Sequence, residues 1–102
     1  MQRIGQWTRL KKGCEEEYER WHREVWPGVL ATTRKAGISN YSIFRLGRDL
    51  FAYFEVEDLA AADAFLENDP ECQRWEEKMV SLVEGDGKIP FWKNMREIFH
   101  LD

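Results

Sequence analysis

The sequence is short of the residues that most metal and redox sites require. Its 102 residues include two cysteines and two histidines. Cys14 and Cys72 lie far apart with no CxxC spacing. Neither a metal site nor a disulfide framework is indicated, and two reduced thiols are expected. An HExxH helix, an EF-hand loop, a GxSxG elbow and a phosphate-cradling glycine loop are all missing. No apolar run approaches the ~18 residues that a membrane-spanning helix needs. The first twenty residues show no basic start followed by an apolar stretch, so no secretory signal is expected and a cytoplasmic location follows. Positive charge is also scarce. Fifteen Lys and Arg stand against nineteen Asp and Glu, a net charge of −4. That balance argues against a nucleic-acid partner and against an anionic membrane surface.

Aromatic residues, in contrast, are plentiful: five Trp, three Tyr and six Phe. They supply core volume and also line sites for sugars and small molecules. With 43% hydrophobic and 33% charged residues, the composition is that of a soluble globular chain. There is no repeat, linker or low-complexity tract, so a single domain over residues 1–102 is expected. A domain of this size is often helped by self-association.

Periodicity divides the chain into elements. Arg3–Lys11 alternates as a strand that Gly13 breaks. Cys14–Trp26 reads as a helix with Glu15, Glu16 and Glu17 at its positive end. Pro27 imposes a break, and a second helical piece over Gly28–Ala36 stops at Gly37. Asn40–Leu46 and Leu50–Val56 form a hairpin about Gly47–Asp49. Asp58 caps the next helix. Asp69 and Pro70 restart a helix over Asp69–Val83. Asn94–Leu101 reads as a fourth strand. The order is β-α-β-β-α-β, which specifies an α+β, ferredoxin-like sandwich. In the third strand Leu50, Ala52, Phe54 and Val56 face one way, and Phe51 and Tyr53 the other. A strand apolar on both sides implies that both sheet faces are at least partly covered. The simplest cover is a second copy of the sheet, hence a homodimer.

Tyr18, His22 and Trp26 stand at i, i+4 and i+8, one row on a helix. Two readings of the row are open. It is a buried stripe with a satisfied histidine, or it holds an acid–base group, since the imidazole titrates near pH 6.5. The serines lie in no nucleophile elbow, and most carboxylates read as solvated helix faces. What remains is cofactor-free and metal-free acid–base chemistry, or binding. Tyr41, Tyr53, Trp75, Phe91 and Trp92 together with His22 suit a sugar, which offers hydroxyl edges and C–H faces.

The segments EEYERWHREVWP (Glu16–Pro27), GISNYSIF (Gly37–Phe44), LFAYFEVED (Leu50–Asp58), DPECQRWEEKM (Asp69–Met79) and MREIFHLD (Met95–Asp102) carry a resemblance. In this order the chain resembles the L-rhamnose mutarotase family. The resemblance implies a ferredoxin-like fold of the dimeric α/β-barrel type, paired through its sheets. It also implies a reaction without cofactor that exchanges the α and β anomers of a 6-deoxy-hexose. His22 then matches the family's proton donor. Tyr18 and Tyr41 match its sugar-contacting tyrosines. A pair of adjacent tryptophans matches Trp75 and Glu76, so Glu76 stands where the family has a second aromatic ring. An acid there can accept hydrogen bonds from sugar hydroxyls, and the substitution leaves the identity of the sugar open. Trp92 is one replacement for the missing ring, and the base at the anomeric hydroxyl is a water, a tyrosine or Glu76. His100, on the last expected strand, reads as structural. The alternatives are an L-fucose mutarotase, a cofactor-free monooxygenase on the same scaffold, and a sugar-binding module without catalysis.

Overall fold

A computed structural model describes residues Met1–Asp102. Eight elements follow one another: β1 (Gln2–Arg9), α1 (Glu15–Arg23), α2 (Pro27–Lys35), β2 (Ser39–Leu46), β3 (Asp49–Val56), α3 (Leu59–Glu67), α4 (Pro70–Val80) and β4 (Lys93–Met95). The strands form one sheet in the order β2-β3-β1-β4, with every neighbouring pair antiparallel. This is the expected ferredoxin-like arrangement, with each of its two helical connections split in two.

The splits have local causes. The first helix ends at Arg23, three residues before the expected Trp26, and Trp26 instead takes extended dihedrals as the N-cap of α2. Proline at the first position of α2 requires no amide hydrogen and carries φ already set for a helix. Gly37, at φ 88°, ends this piece in the left-handed region where a side chain is strained. On the other connection, Asp58 accepts from the Ala61 amide at 3.1 Å and Asp69 from the Cys72 amide at 2.9 Å. Each cap satisfies one of the amide donors that a helix start leaves unpaired.

β3 shows the period of two. Leu50, Ala52, Phe54 and Val56 are buried, while Phe51 and Tyr53 are half-buried. The buried side meets the helices in two clusters. The larger joins Leu10 and Leu50 to Tyr18, Val29, Cys72, Trp75 and Met79. The smaller joins Phe54 and Val56 to Ile38 and Ala62. On the other face Trp7, Phe51 and Phe44 stand side by side across β1, β3 and β2.

The fourth strand is shorter than expected. It pairs with β1 only over Lys93–Met95, and the chain from Arg96 to Asp102 runs without ladder bonds. Ile98, Phe99 and Leu101 are among the most exposed apolar residues of the protein. The ladder with β1 stops at Met95, so no strand partner pairs with them. Glu97 is bound instead by the guanidinium of Arg3 at 2.9 Å.

Candidate active site

Three elements meet around His22: α1, α4 and the start of β2. His22 sits half-buried in the last turn of α1. Its Nδ1 lies 2.9 Å from the carbonyl oxygen of Tyr18, one turn earlier. A carbonyl only accepts, so Nδ1 carries the hydrogen and Nε2 of the neutral ring is left with a free lone pair. The ring stacks on Tyr18, with centroids 4.2 Å apart and planes at 27°. Its edge meets Trp75 of α4 at 5.3 Å and 74°.

Trp75 is buried because α4 turns Cys72, Trp75 and Met79 toward the sheet. Trp21 and Trp26 close on it edge-to-face, at 6.3 and 5.3 Å. Edge-to-face contact sets the positive rim of one ring against the negative face of another. Trp21 is held in turn by its indole N–H donating to Glu17 at 3.2 Å, with Lys78 over its ring at 5.1 Å. The row at i, i+4, i+8 is thus broken after His22. Trp26 reaches the site from the cap of α2, and Trp21, which the sequence row passed over, braces Trp75 from α1. Its signal was its place at i+3 from Tyr18.

Tyr41 arrives by a different device. β2 and β3 pair as Ser39↔Glu55 and then Ser42↔Tyr53, so Asn40 and Tyr41 both oppose Phe54. Asn40 is the extra residue of this bulge and takes φ 50°. Bulges re-aim side chains and recur beside functional sites. Here Tyr41 packs against Phe54, which lies on the helix-bearing face, with ring centroids 5.2 Å apart. Two residues past Ile43, Arg45 reaches Glu19 of α1 at 2.5 Å and ties the two elements together.

Glu76 follows Trp75 on α4 and is half-buried. No cation pairs with it and no group of the chain hydrogen-bonds it. Burial pushes its carboxyl up to about 7. Burial acts oppositely on His22, whose pKa falls below the usual imidazole value despite the bond to Tyr18. Burial also raises Tyr18, with Tyr41 and Glu76 adding to the effect. Tyr41 is 43% exposed as a whole residue, yet burial of its phenol end and then the charge of Glu76 raise its pKa as well. Both tyrosines therefore stay protonated near neutral pH and keep an O–H to donate.

Four of the five expected side chains, Tyr18, His22, Trp75 and Glu76, line the junction of α1 and α4, and Tyr41 faces it from β2. Trp92 does not fill the place of a second tryptophan. Its ring stacks on Phe91 at 5.9 Å, and it lines a separate groove of about 460 Å³ with Trp7, Val80 and Lys93. His100 pairs with Asp102 at 2.7 Å on the terminal arm. No three His, Cys, Asp or Glu side chains converge as a metal site would need.

Residues 3–101 match the family model described as L-rhamnose mutarotase. The chain belongs to the L-rhamnose mutarotase family. The L-rhamnose mutarotase of Opitutus terrae is 42% identical to it over 91% of each chain. The L-fucose mutarotase of Xanthomonas campestris is 39% identical over 83% of this chain and 74% of its own. The crystal structure of an L-rhamnose mutarotase from Formosa agariphila superposes over the whole of both chains with a TM-score of 0.83. At 24% identity that likeness is one of fold. Within the family the order of elements is therefore shared, and the chemistry of this chain is argued from its own side chains.

Proposed function

We propose that the chain interconverts the α and β anomers of L-rhamnopyranose without a cofactor. The reading is carried by the family match across residues 3–101. The packing of a half-buried histidine between a tyrosine and a tryptophan supports it.

A pyranose changes anomer by opening its ring. The ring oxygen gains a proton, the anomeric hydroxyl loses one, and the C1–O5 bond breaks to leave an aldehyde. Rotation about C1–C2 presents the other face, and the ring closes by the reverse transfers. Only protons move, so a pair of acid–base groups is sufficient, and such groups contribute typically about 10²–10⁴-fold. His22 is the first of them. Tyr18 and Tyr41 donate hydrogen bonds to sugar hydroxyls, and Trp75 offers an apolar face to the C–H side of a deoxy sugar. Glu76 accepts from, or donates to, the hydroxyls that it meets.

In this reading the protein is a cytoplasmic homodimer that pairs through the open sheet face. The row of half-buried Trp7 and Phe51 with exposed Phe44 supports the pairing, since a contiguous apolar patch marks an interaction surface.

Saturation-transfer NMR on the anomeric protons of L-rhamnose tests the activity. Faster α/β exchange with the protein, lost in His22→Gln, is the expected result. Binding without acceleration would leave a sugar-binding module instead. A second reading, L-fucose as the sugar, is supported by the Xanthomonas relative. The same spectra with L-fucose decide between them.

A further inference from the structure

We propose that Glu17, Trp21 and Lys78 form a positioning clamp for this site: Trp21, held by the two charges, fixes α1 against α4 and sets the plane in which Trp75 meets the sugar. The assignment rests on the mutarotase reading above and adds to it a group that acts through Trp75 and does not itself touch substrate.

The first support is a pair of parallel rows on α1. Tyr18 and His22, one turn apart, form the row that faces the site. Glu17 and Trp21 precede each of them by one residue and form a second row beside the first. This second row is closed by its own bond, since the indole N–H of Trp21 donates to a carboxylate oxygen of Glu17 at 3.2 Å. The turn of backbone that carries Trp21 is the turn that carries His22.

The second support is the link to α4. Lys78 follows Trp75 by three residues and so lies on the same side of that helix. Its ammonium stands 5.1 Å from the centroid of the Trp21 ring. It also lies 3.5 Å from the same Glu17 oxygen that binds the indole. Among the ion pairs of the chain, this one alone joins α1 to α4. The bond from Trp21, and after it the charge of Lys78, hold the Glu17 carboxyl below the ordinary carboxylate value, so it is charged at neutral pH.

The third support is the burial of Trp75. The residue is only 6% exposed. The strip of indole left to a ligand is narrow, and its tilt decides which C–H groups it can meet. Trp21 stands against this ring at 86°, and His22 at 74°. Edge-to-face contact is directional, so the Trp21 ring restrains the tilt as well as filling space. Trp21 is the ring of the cluster that charges from both helices hold. The ion pair itself is partly exposed, and such pairs contribute little to stability. The contribution of the clamp is therefore to geometry.

Anomer exchange of L-rhamnose is followed by saturation transfer over a range of sugar concentrations for the native protein, Trp21→Leu, Lys78→Met and Lys78→Arg. Trp75 contacts the sugar alike in the ground and transition states, so loss of its tilt raises KM and leaves kcat near the native value. Trp21→Leu keeps an apolar side chain but loses the ring edge and the N–H, and KM is expected to rise roughly 3- to 10-fold. Lys78→Met raises KM in the same direction with little change in melting temperature. Lys78→Arg keeps a cation over the ring and restores the native value. The ring-proton shifts of His22 are read in the same proteins without sugar. The His22 edge lies against Trp75 and senses its ring current. These shifts are expected to move in Trp21→Leu and Lys78→Met and to return in Lys78→Arg. A melting curve shows which variants fold, and Lys78→Met, at a partly exposed position, carries the test if the leucine variant does not. Native KM and native His22 shifts in folded Lys78→Met would overturn the clamp, whatever the melting temperature does. A loss confined to kcat would overturn it too. If the native protein accelerates no 6-deoxy sugar, the mutarotase reading fails, and the His22 shifts still decide whether the clamp sets Trp75.

Discussion

The imidazole of His22 is bonded through Nδ1 to the backbone carbonyl of Tyr18, not to its phenol. The restraint therefore belongs to the main chain of α1 and survives changes at the Tyr18 side chain. Tyr18→Phe is expected to leave the ring orientation and tautomer of His22 intact, which the ¹⁵N shifts of the imidazole report. Sugar affinity falls in the same variant, because a phenol that donates is gone. His22→Gln behaves differently: it keeps binding and loses about 10²-fold or more of the exchange rate. A Tyr18→Phe rate as low as that of His22→Gln would show that the phenol, and not the carbonyl, holds the histidine.

Asp69 acts on the site from a distance. Its carboxylate caps α4 by accepting from the Cys72 amide, and that bond holds its pKa below the usual aspartate value. Trp75 and Glu76 lie within the next two turns, so their placement depends on a firm helix start. Asp69→Ala is expected to lower the melting temperature by a few degrees and to weaken sugar binding, while Asp69→Asn, which still caps, restores both. A melting curve for each variant checks this.

Much of the fold was legible because it follows from local rules. Pro27, Gly37, Asp58 and Asp69 mark helix ends by backbone chemistry that does not depend on tertiary context. The alternation of β3 was readable for the same reason. The terminal arm was not. Ile98, Phe99 and Leu101 have strand-like spacing, but extended backbone becomes a strand only with a partner edge, and none of the ladder extends past Met95. At the site, the i, i+4 relation of Tyr18 and His22 is intrinsic to a helix and was visible in advance. The arrival of Tyr41 through a bulge at Asn40, and of Trp26 from beyond the end of α1, depends on strand register and on the break at Pro27. Trp92 shows the converse. Its residue type fitted the vacancy opposite Trp75, but the loop before β4 carries it to Phe91 and the other groove.

The open sheet face gives a test of assembly. Phe44 is 64% exposed, and it stands across from Phe51, which is half-buried, with Trp7 beyond. A second copy laid on this row would remove the three rings from water together. Sedimentation of the native protein is expected to give twice the monomer mass. Phe51→Asp sets a charge in the middle of the row and is expected to give monomers, because burying an unpaired carboxylate costs more than the contact returns. A native protein that sediments as a monomer at high concentration would refute the pairing.

Glu76 and His22 also make opposite contributions to stability as pH changes. Unfolded, Glu76 titrates near its ordinary 4.5, and folded near 7. Below the first value both states hold the proton and nothing is lost. As pH rises between the two, the unfolded chain releases a proton that the folded one retains, so stability falls, and the loss is complete above 7. Glu76→Gln removes the penalty. In urea unfolding it is expected to match the native protein near pH 4.5 and to exceed it at pH 8 by about 1–3 kcal/mol, a range reduced for the partial exposure of the group. For His22 the sign reverses. Its folded pKa lies below the usual 6.5, so its contribution is present above that value and is lost as pH falls through the folded pKa. His22→Gln should therefore flatten the acid side of the stability profile, and Glu76→Gln the alkaline side. Equal effects of both substitutions on the same side would mean that burial does not move the two groups in opposite directions.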